Sequence, residues 1–289
     1  MTRRDIITAV PVGFRRDGTF DEDGSRRILR YVARSGNEGA FVLGTTGEFP
    51  ALDEGEFRAN VAIALEELGD VMRVIVHVGR SSTFEAVRRI EIAREMGATE
   101  FAAITPYYLA APEEMIYDYF AALSAALGDT TLFVYNYPKR SGNTVSPELM
   151  ARLAALPGIV GAKISEMSLD ELAAYRAVVP AEFLIYTGAD RELLAAGEAG
   201  AQGVVSGVSS VFPTPFRALV AAAESGDAGR TAVAQAAVDD VCSVVGGDMA
   251  RMKAAYRNLG VADVVCRMAL AEPDAAALAE IERVCVQYR

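Results

Sequence analysis

The sequence has no tryptophan, one histidine and three cysteines in 289 residues, and only three of its 28 basic residues are lysines: Lys139, Lys163 and Lys253. Each scarcity closes off some chemistry. With His77 alone, a Ser–His–Asp triad is possible only if that residue serves, and HExxH zinc chemistry cannot be assembled. His77 lies inside the β-branched run VIVHVG, where a hydrogen-bonded histidine at a strand end is the simpler reading than a base or ligand. Cys242, Cys266 and Cys285 are odd in number and widely spaced, with no CxxC pair, which reads as free buried thiols in a reducing cytoplasm. No apolar run approaches the roughly 18–20 residues that span a bilayer. The opening MTRRDIITAVPVGF, its short apolar run broken by Pro11, reads as a first strand rather than a signal peptide. A net charge of −11 lacks the basic face that neutralises phosphates, so neither nucleic acid nor a membrane is an expected partner. A cytoplasmic location follows as an expectation.

What is present is a core and a rhythm. Hydrophobic residues make up 52% of the chain, enough for one large domain, and charged residues an ordinary 23%. Short runs rich in Val, Ile and Phe alternate with helical stretches: DIITAVPV, GAFVLG, RVIVHVG, EFAAITP, TLFVYN, IVGAKI, FLIYTG and GVVSG. Each is apolar on both faces, as a parallel strand covered on both sides must be. Helix ends are legible between them. Ser82 with Glu85 predicts a capping box opening a helix through Arg94, and Ser146-Pro147 predicts an N-cap followed by a first-turn proline. Gly36, Gly97 and Gly158 each close a helix just before a strand, 61 residues apart both times. That interval is two units of about 30 residues, the βα repeat of an eight-stranded barrel. We therefore expect a (β/α)8 TIM barrel over residues 1–211 and a C-terminal helical extension over residues 212–289. A doubly wound Rossmann sheet is disfavoured, because no GxGxxG follows the first strand and GTTGEF after the second does not fit.

In such a barrel the chemistry gathers at the C-terminal ends of the strands. Those ends carry Gly44-Thr45-Thr46-Gly47-Glu48, Tyr107-Tyr108, Tyr135-Asn136-Tyr137, Lys163, Gly188 and Ser206. Hydroxyls, phenols and one amine converge, without a metal-ligand cluster or a phosphate-cradling loop, so no metal or cofactor is expected. Lys163 has two readings: a snorkelling lysine paired with Glu166 at the barrel mouth, or a Schiff-base nucleophile. The second requires its pKa to fall roughly three units, a cost of about 4 kcal/mol that apolar walls could supply. Tyr135, ending the neighbouring strand, could serve as the acid/base that imine chemistry needs, with Thr45 and Tyr108 extending a hydroxyl relay. Rim packing is the competing reading for each tyrosine.

GTTGE at 44–48, TPYY at 105–108, YNYPKRSG at 135–142 and GAKIS at 161–165 resemble the dihydrodipicolinate synthase/N-acetylneuraminate lyase family, class I pyruvate-dependent lyases on a (β/α)8 barrel. The resemblance runs along nearly the whole chain, motif order and spacing included. It implies that Lys163 forms an imine with pyruvate or a 2-oxo acid, that Tyr135 is the acid/base, and that Thr45 links Tyr135 to Tyr108 of a neighbouring subunit. Thr46 and Gly47 would hold the pyruvate carboxylate, and Gly188 and Val205 would line the imine pocket. A homotetramer or homodimer is implied, with small-molecule substrates.

Arg140 matches the arginine with which the synthases grip the carboxylate of aspartate semialdehyde, and the first threonine of GTTGE also suits the synthases. VHVG at 76–79 is closer to the lyases, Phe49-Pro50 departs from the synthase pattern, and Ser81 stands where lysine-inhibited synthases carry asparagine, although Glu85 is retained. The resemblance thus implies a carbon–carbon lyase or synthase, with the dihydrodipicolinate synthase reaction as the leading reading. A 2-keto-3-deoxy-sugar-acid or N-acetylneuraminate-type aldolase is the alternative. A regulatory homologue with a fossil pocket is the non-enzymatic one.

Overall fold

The computed structural model describes residues 4–289. Eight parallel strands follow one another in chain order around a closed barrel: β1 (Asp5–Ala9), β2 (Gly39–Val42), β3 (Arg73–His77), β4 (Glu100–Ile104), β5 (Thr131–Asn136), β6 (Ile159–Ile164), β7 (Leu184–Thr187) and β8 (Gly203–Ser206). Between them run α1 (Glu22–Ala33), α2 (Glu54–Leu68), α3 (Thr83–Glu95), α4 (Glu113–Ala126), the short α5 (Pro138–Ser141), α6 (Pro147–Ala154), α7 (Leu169–Val178) and α8 (Leu193–Glu198). After β8 the chain is helical: α9 (Val208–Val211), α10 (Pro213–Ser225), α11 (Ala228–Val245), α12 (Met249–Asn258) and α13 (Ala275–Tyr288). The expected barrel with C-terminal helices is the observed architecture. No described helix is long and apolar enough to cross a membrane.

The local signals act where the sequence placed them. Gly36, Gly97 and Gly158 have φ of 73°, 98° and 76°, the left-handed region in which a side chain would strain the backbone. They follow α1, α3 and α6, so the 61-residue interval is the spacing of left-handed helix stops. The Ser146 hydroxyl accepts from the Leu149 N–H at 3.1 Å, with Pro147 opening α6. Ser82 likewise accepts from the Glu85 N–H. The full capping boxes are instead those of Asp53 with Glu56 and Ser168 with Glu171. The first strand is shorter than the run DIITAVPV: it ends at Ala9, ahead of Pro11, which has no N–H to give a ladder.

The chain divides into two compact units. One comprises Val74–Val205 with Asp5, holding β3 through β7 and the helices among them. Its strands β3 to β7 pair in parallel, and Phe101, Phe133, Tyr135 and Tyr186 are among its fully buried side chains. The other comprises Ile6–Arg73 with Ser206–Arg289, so α9 to α13 pack with the α1 and α2 region. There the Tyr31 hydroxyl donates to the Val211 carbonyl at 2.8 Å, and the Tyr31 ring meets Tyr256 edge-on at 5.9 Å. Cys242 and Cys285 are buried free thiols as expected; Cys266 is free but only half-buried, because it lies in the irregular segment between α12 and α13.

Candidate active site

Strands β5 and β6 set the centre of the site. They pair in parallel with Tyr135 opposite Lys163 and Asn136 opposite Ile164. Register partners on adjacent strands project to the same face, so the phenol and the amine come together. Lys163 is 7% exposed, and its Nζ lies 4.3 Å from the centre of the Tyr135 ring. Burial lowers its pKa from 10.5 to about 7, with the Asp190 carboxylate opposing the shift. Near pH 7 a substantial fraction of this amine is therefore unprotonated, the state a nucleophile needs.

The partner weighed for a structural lysine is engaged elsewhere. Glu166, at φ 55°, accepts from the Tyr137 hydroxyl at 2.5 Å and pairs with the Lys139 ammonium. Lys139 and Tyr137 hold the Glu166 carboxyl below its ordinary range. Arg140 stands 5.8 Å from the centre of the Tyr137 ring, and that phenol holds the guanidinium pKa above its usual value. The segment after β5 thus presents Arg140 beside a phenol and near a carboxylate.

Gly188, after β7, is required by close packing: a Cβ there would lie 2.4 Å from the Ser165 Oγ. Val205 is buried in β8. Tyr108 sits at φ 82° in the loop after β4 and is 90% exposed, standing out from its own chain rather than packing on Tyr135.

In the other unit, residues 44–48 form a tight turn after β2. The N–H groups of Gly47 and Phe49 both donate to the Gly44 carbonyl, and that of Glu48 to the Thr45 carbonyl. A Cβ on Gly47 would press on the Leu43 Cα at 3.1 Å, and one on Gly207 would lie 3.3 Å from the Thr46 hydroxyl. The turn is anchored by Glu48, which is fully buried at φ 53°. Its Oε1 accepts from the Lys253 Nζ at 2.5 Å, and its Oε2 from the N–H groups of Arg267 and Met268 at 2.8 and 2.6 Å. Lys253 also donates to the Val265 carbonyl at 2.8 Å. A buried charge tolerates such a place only with this degree of pairing.

Several of these residues carry little signal in the sequence. Glu48 was part of a motif but had no role; its signal was an acid inside an otherwise apolar, glycine-rich turn. Asp190 and Ser165 had no signal beyond following a strand. His77 accepts from the Ile104 N–H at 3.2 Å through Nε2, the satisfied strand-end histidine that was expected. It also meets the Tyr135 ring edge-on at 6.0 Å, making it a wall of the same site.

An eight-stranded parallel barrel with a buried lysine beside a tyrosine on the neighbouring strand belongs with the lyase-type barrel enzymes that comparison with known proteins identifies. The model of the dihydrodipicolinate synthetase family matches residues 2–287, and the chain belongs to that family. Among curated relatives, the 4-hydroxy-tetrahydrodipicolinate synthase of Synechococcus elongatus is 34% identical over 225 residues, 78% of this chain and 75% of the relative. That of Methylococcus capsulatus is 33% identical over 221 residues, 76% of each chain. The crystal structure of dihydrodipicolinate synthase from Thermotoga maritima superposes with a TM-score of 0.91 at 27% identity, covering 100% of this chain and 99% of that one. A sialic acid aldolase from Ruminococcus gnavus shares the fold, with a TM-score of 0.92 at 22% identity over 100% and 98% of the two chains.

Proposed function

We propose that this protein condenses pyruvate with aspartate semialdehyde through a Schiff base on Lys163, the reaction of a 4-hydroxy-tetrahydrodipicolinate synthase. The observation that carries the reading is the buried Lys163 amine, with a pKa of about 7, held against Tyr135. The neutral amine attacks C2 of pyruvate, and the carbinolamine loses water to give the imine. Loss of a C3 proton then yields an enamine, whose C3 attacks the aldehyde carbon, and the amino group of the joined semialdehyde attacks the imine carbon, expelling the Lys163 amine and closing the ring. Each step moves a proton near the lysine, and Tyr135 on the neighbouring strand carries it. Thr45 and Tyr108 of a neighbouring subunit extend the relay; Thr46 and Gly47 bind the pyruvate carboxylate; Gly188 and Val205 shape the pocket around the imine. Arg140 takes the carboxylate of the aldehyde, for which a guanidinium offers a two-pronged grip. In this scheme residues 1–211 are the catalytic barrel and residues 212–289 an extension that anchors the 44–48 turn through Lys253.

One observation favours a second reading. Tyr137 completes a YNYP run, and its hydroxyl, with Glu166 and Lys139, offers hydrogen-bonding groups suited to a polyhydroxy aldehyde. A panel of aldehydes tested with pyruvate in both directions separates the two. Aspartate semialdehyde as the preferred acceptor supports the synthase; cleavage of a 2-keto-3-deoxy acid with no use of aspartate semialdehyde supports the aldolase. No turnover of any pair, with pyruvate still bound, would leave a binding homologue.

A further inference from the structure

The loop that carries Tyr107 and Tyr108 is held by a side chain from another loop. Asn143, two residues after α5, is 4% exposed, and both its amide donors and its oxygen are engaged. Its Nδ2 donates to the Pro106 carbonyl at 2.8 Å and the Leu109 carbonyl at 2.9 Å, and its Oδ1 accepts from the Ala111 N–H at 2.7 Å. Two carbonyls and one N–H admit only this orientation of the amide, and neither aspartate nor leucine could copy it. The three contacts bracket Tyr107 and Tyr108, whose backbone reaches φ 82° at Tyr108, a conformation that a tyrosine does not hold unaided. A second set of bonds fixes Asn143 itself. The Thr105 hydroxyl donates to the Ser141 hydroxyl at 2.8 Å, and Ser141 Oγ lies 3.0 Å from the Asn143 carbonyl oxygen.

We propose that Asn143 is a positioning residue that sets the Tyr107-Tyr108 turn for catalysis, joining it to the 137–143 segment that carries Arg140. This rests on the reading of Tyr108 as a relay residue. Tyr108 is otherwise 90% exposed, so nothing in its own side-chain packing fixes where the phenol is presented. The backbone clamp does that instead. A misplacement of about 1 Å in a proton-relay group costs on the order of 10²-fold in rate.

The test uses the full-length enzyme and its Asn143→Ala, Asn143→Asp, Ser141→Ala and Tyr108→Phe variants. Three readouts are taken: pyruvate trapping by borohydride, kcat with the aldehyde, and chymotryptic cleavage at residues 107–109 in the native state. For N143A, pyruvate trapping should match the wild type, kcat should fall about 10–100-fold, and cleavage of the loop should accelerate. S141A should move the same way by less, and it serves in place of N143A should that variant not fold. N143D should be impaired at neutral pH, where a carboxylate faces two carbonyl oxygens, and its kcat relative to that of the wild type at the same pH should rise as pH falls and the protonated acid donates one bond. That rise is one a general loss of stability would not produce. Wild-type kcat in N143A beside an impaired Y108F overturns the clamp. Wild-type kcat in both overturns the relay reading and the clamp with it.

Discussion

Lys163 and Tyr135 stand opposite each other on neighbouring parallel strands, with the lysine Nζ 4.3 Å from the centre of the phenol ring. Two effects act on that amine in opposite senses. The face of an aromatic ring attracts the ammonium form by ~0.5–2 kcal/mol. Burial favours the neutral form, and lowering the pKa from 10.5 to about 7 corresponds to roughly 4–5 kcal/mol. Burial is the larger effect, and the pKa falls.

Borohydride reduction in the presence of pyruvate should label Lys163 and no other residue. The other two lysines are occupied: Lys139 is exposed and paired with Glu166, and Lys253 is fully buried against Glu48. The trapping rate should rise with pH through about 7 and level off above it, as the neutral amine becomes the main form. Peptide mapping that placed the adduct on Lys139 or Lys253 would remove Lys163 from the mechanism.

Lys163→Met should stabilise the fold. A lysine with a folded pKa near 7 and an unfolded value near 10.5 binds more protons when unfolded across that window, so stability rises with pH between the two values. The penalty is therefore complete below pH 7 and disappears above the unfolded pKa. Chemical denaturation should show K163M more stable by about 1–3 kcal/mol at pH 6. The difference should shrink at pH 10; a constant difference would assign the effect to packing instead.

Tyr135→Phe keeps the buried ring, which the edge contact with His77 and the neighbouring Tyr137 support, and removes only the hydroxyl. Turnover should drop by roughly 10²–10⁴ while circular dichroism stays native. Near-normal rates would make Tyr135 a packing residue.

Arg140→Leu should raise the KM for aspartate semialdehyde by about 10–100-fold, the worth of a charge-assisted bidentate contact. Pyruvate trapping at Lys163 should be almost unchanged. An unaltered KM would shift the reading to the keto-deoxy-acid aldolase.

The enzyme should sediment as a homo-oligomer. Tyr108, Leu109 and Met115 are exposed around the loop after β4, and a phenol borrowed by the relay needs a second chain to receive it. A two-fold interface would bring both copies of this loop together. Full activity from a monomer at assay concentration would refute the shared relay.

The sequence by itself determined the barrel and the place of Lys163 at the end of its sixth strand. Apolar runs covered on both faces mark parallel strands, and Gly36, Gly97 and Gly158 mark helix stops because only glycine enters the left-handed region freely. Such signals are local and survive in one dimension. Strand order put Tyr135 on the strand next to Lys163, while the register that makes them direct partners is seen in the fold. What only the tertiary structure decided depends on contacts distant in the chain. Glu48 and Lys253 are 205 residues apart, yet they form the buried pair that anchors the 44–48 turn. Glu166, three residues after Lys163, turns to Lys139 and Tyr137 rather than to that lysine. Asn143 reaches back 37 residues to the Pro106 carbonyl, a role that asparagine shows in no motif. The physical reason is the same in each case. Secondary structure follows from steric and apolar preferences carried by each residue, whereas the partner of a buried polar group is settled only when the fold removes water and leaves one donor or acceptor within reach.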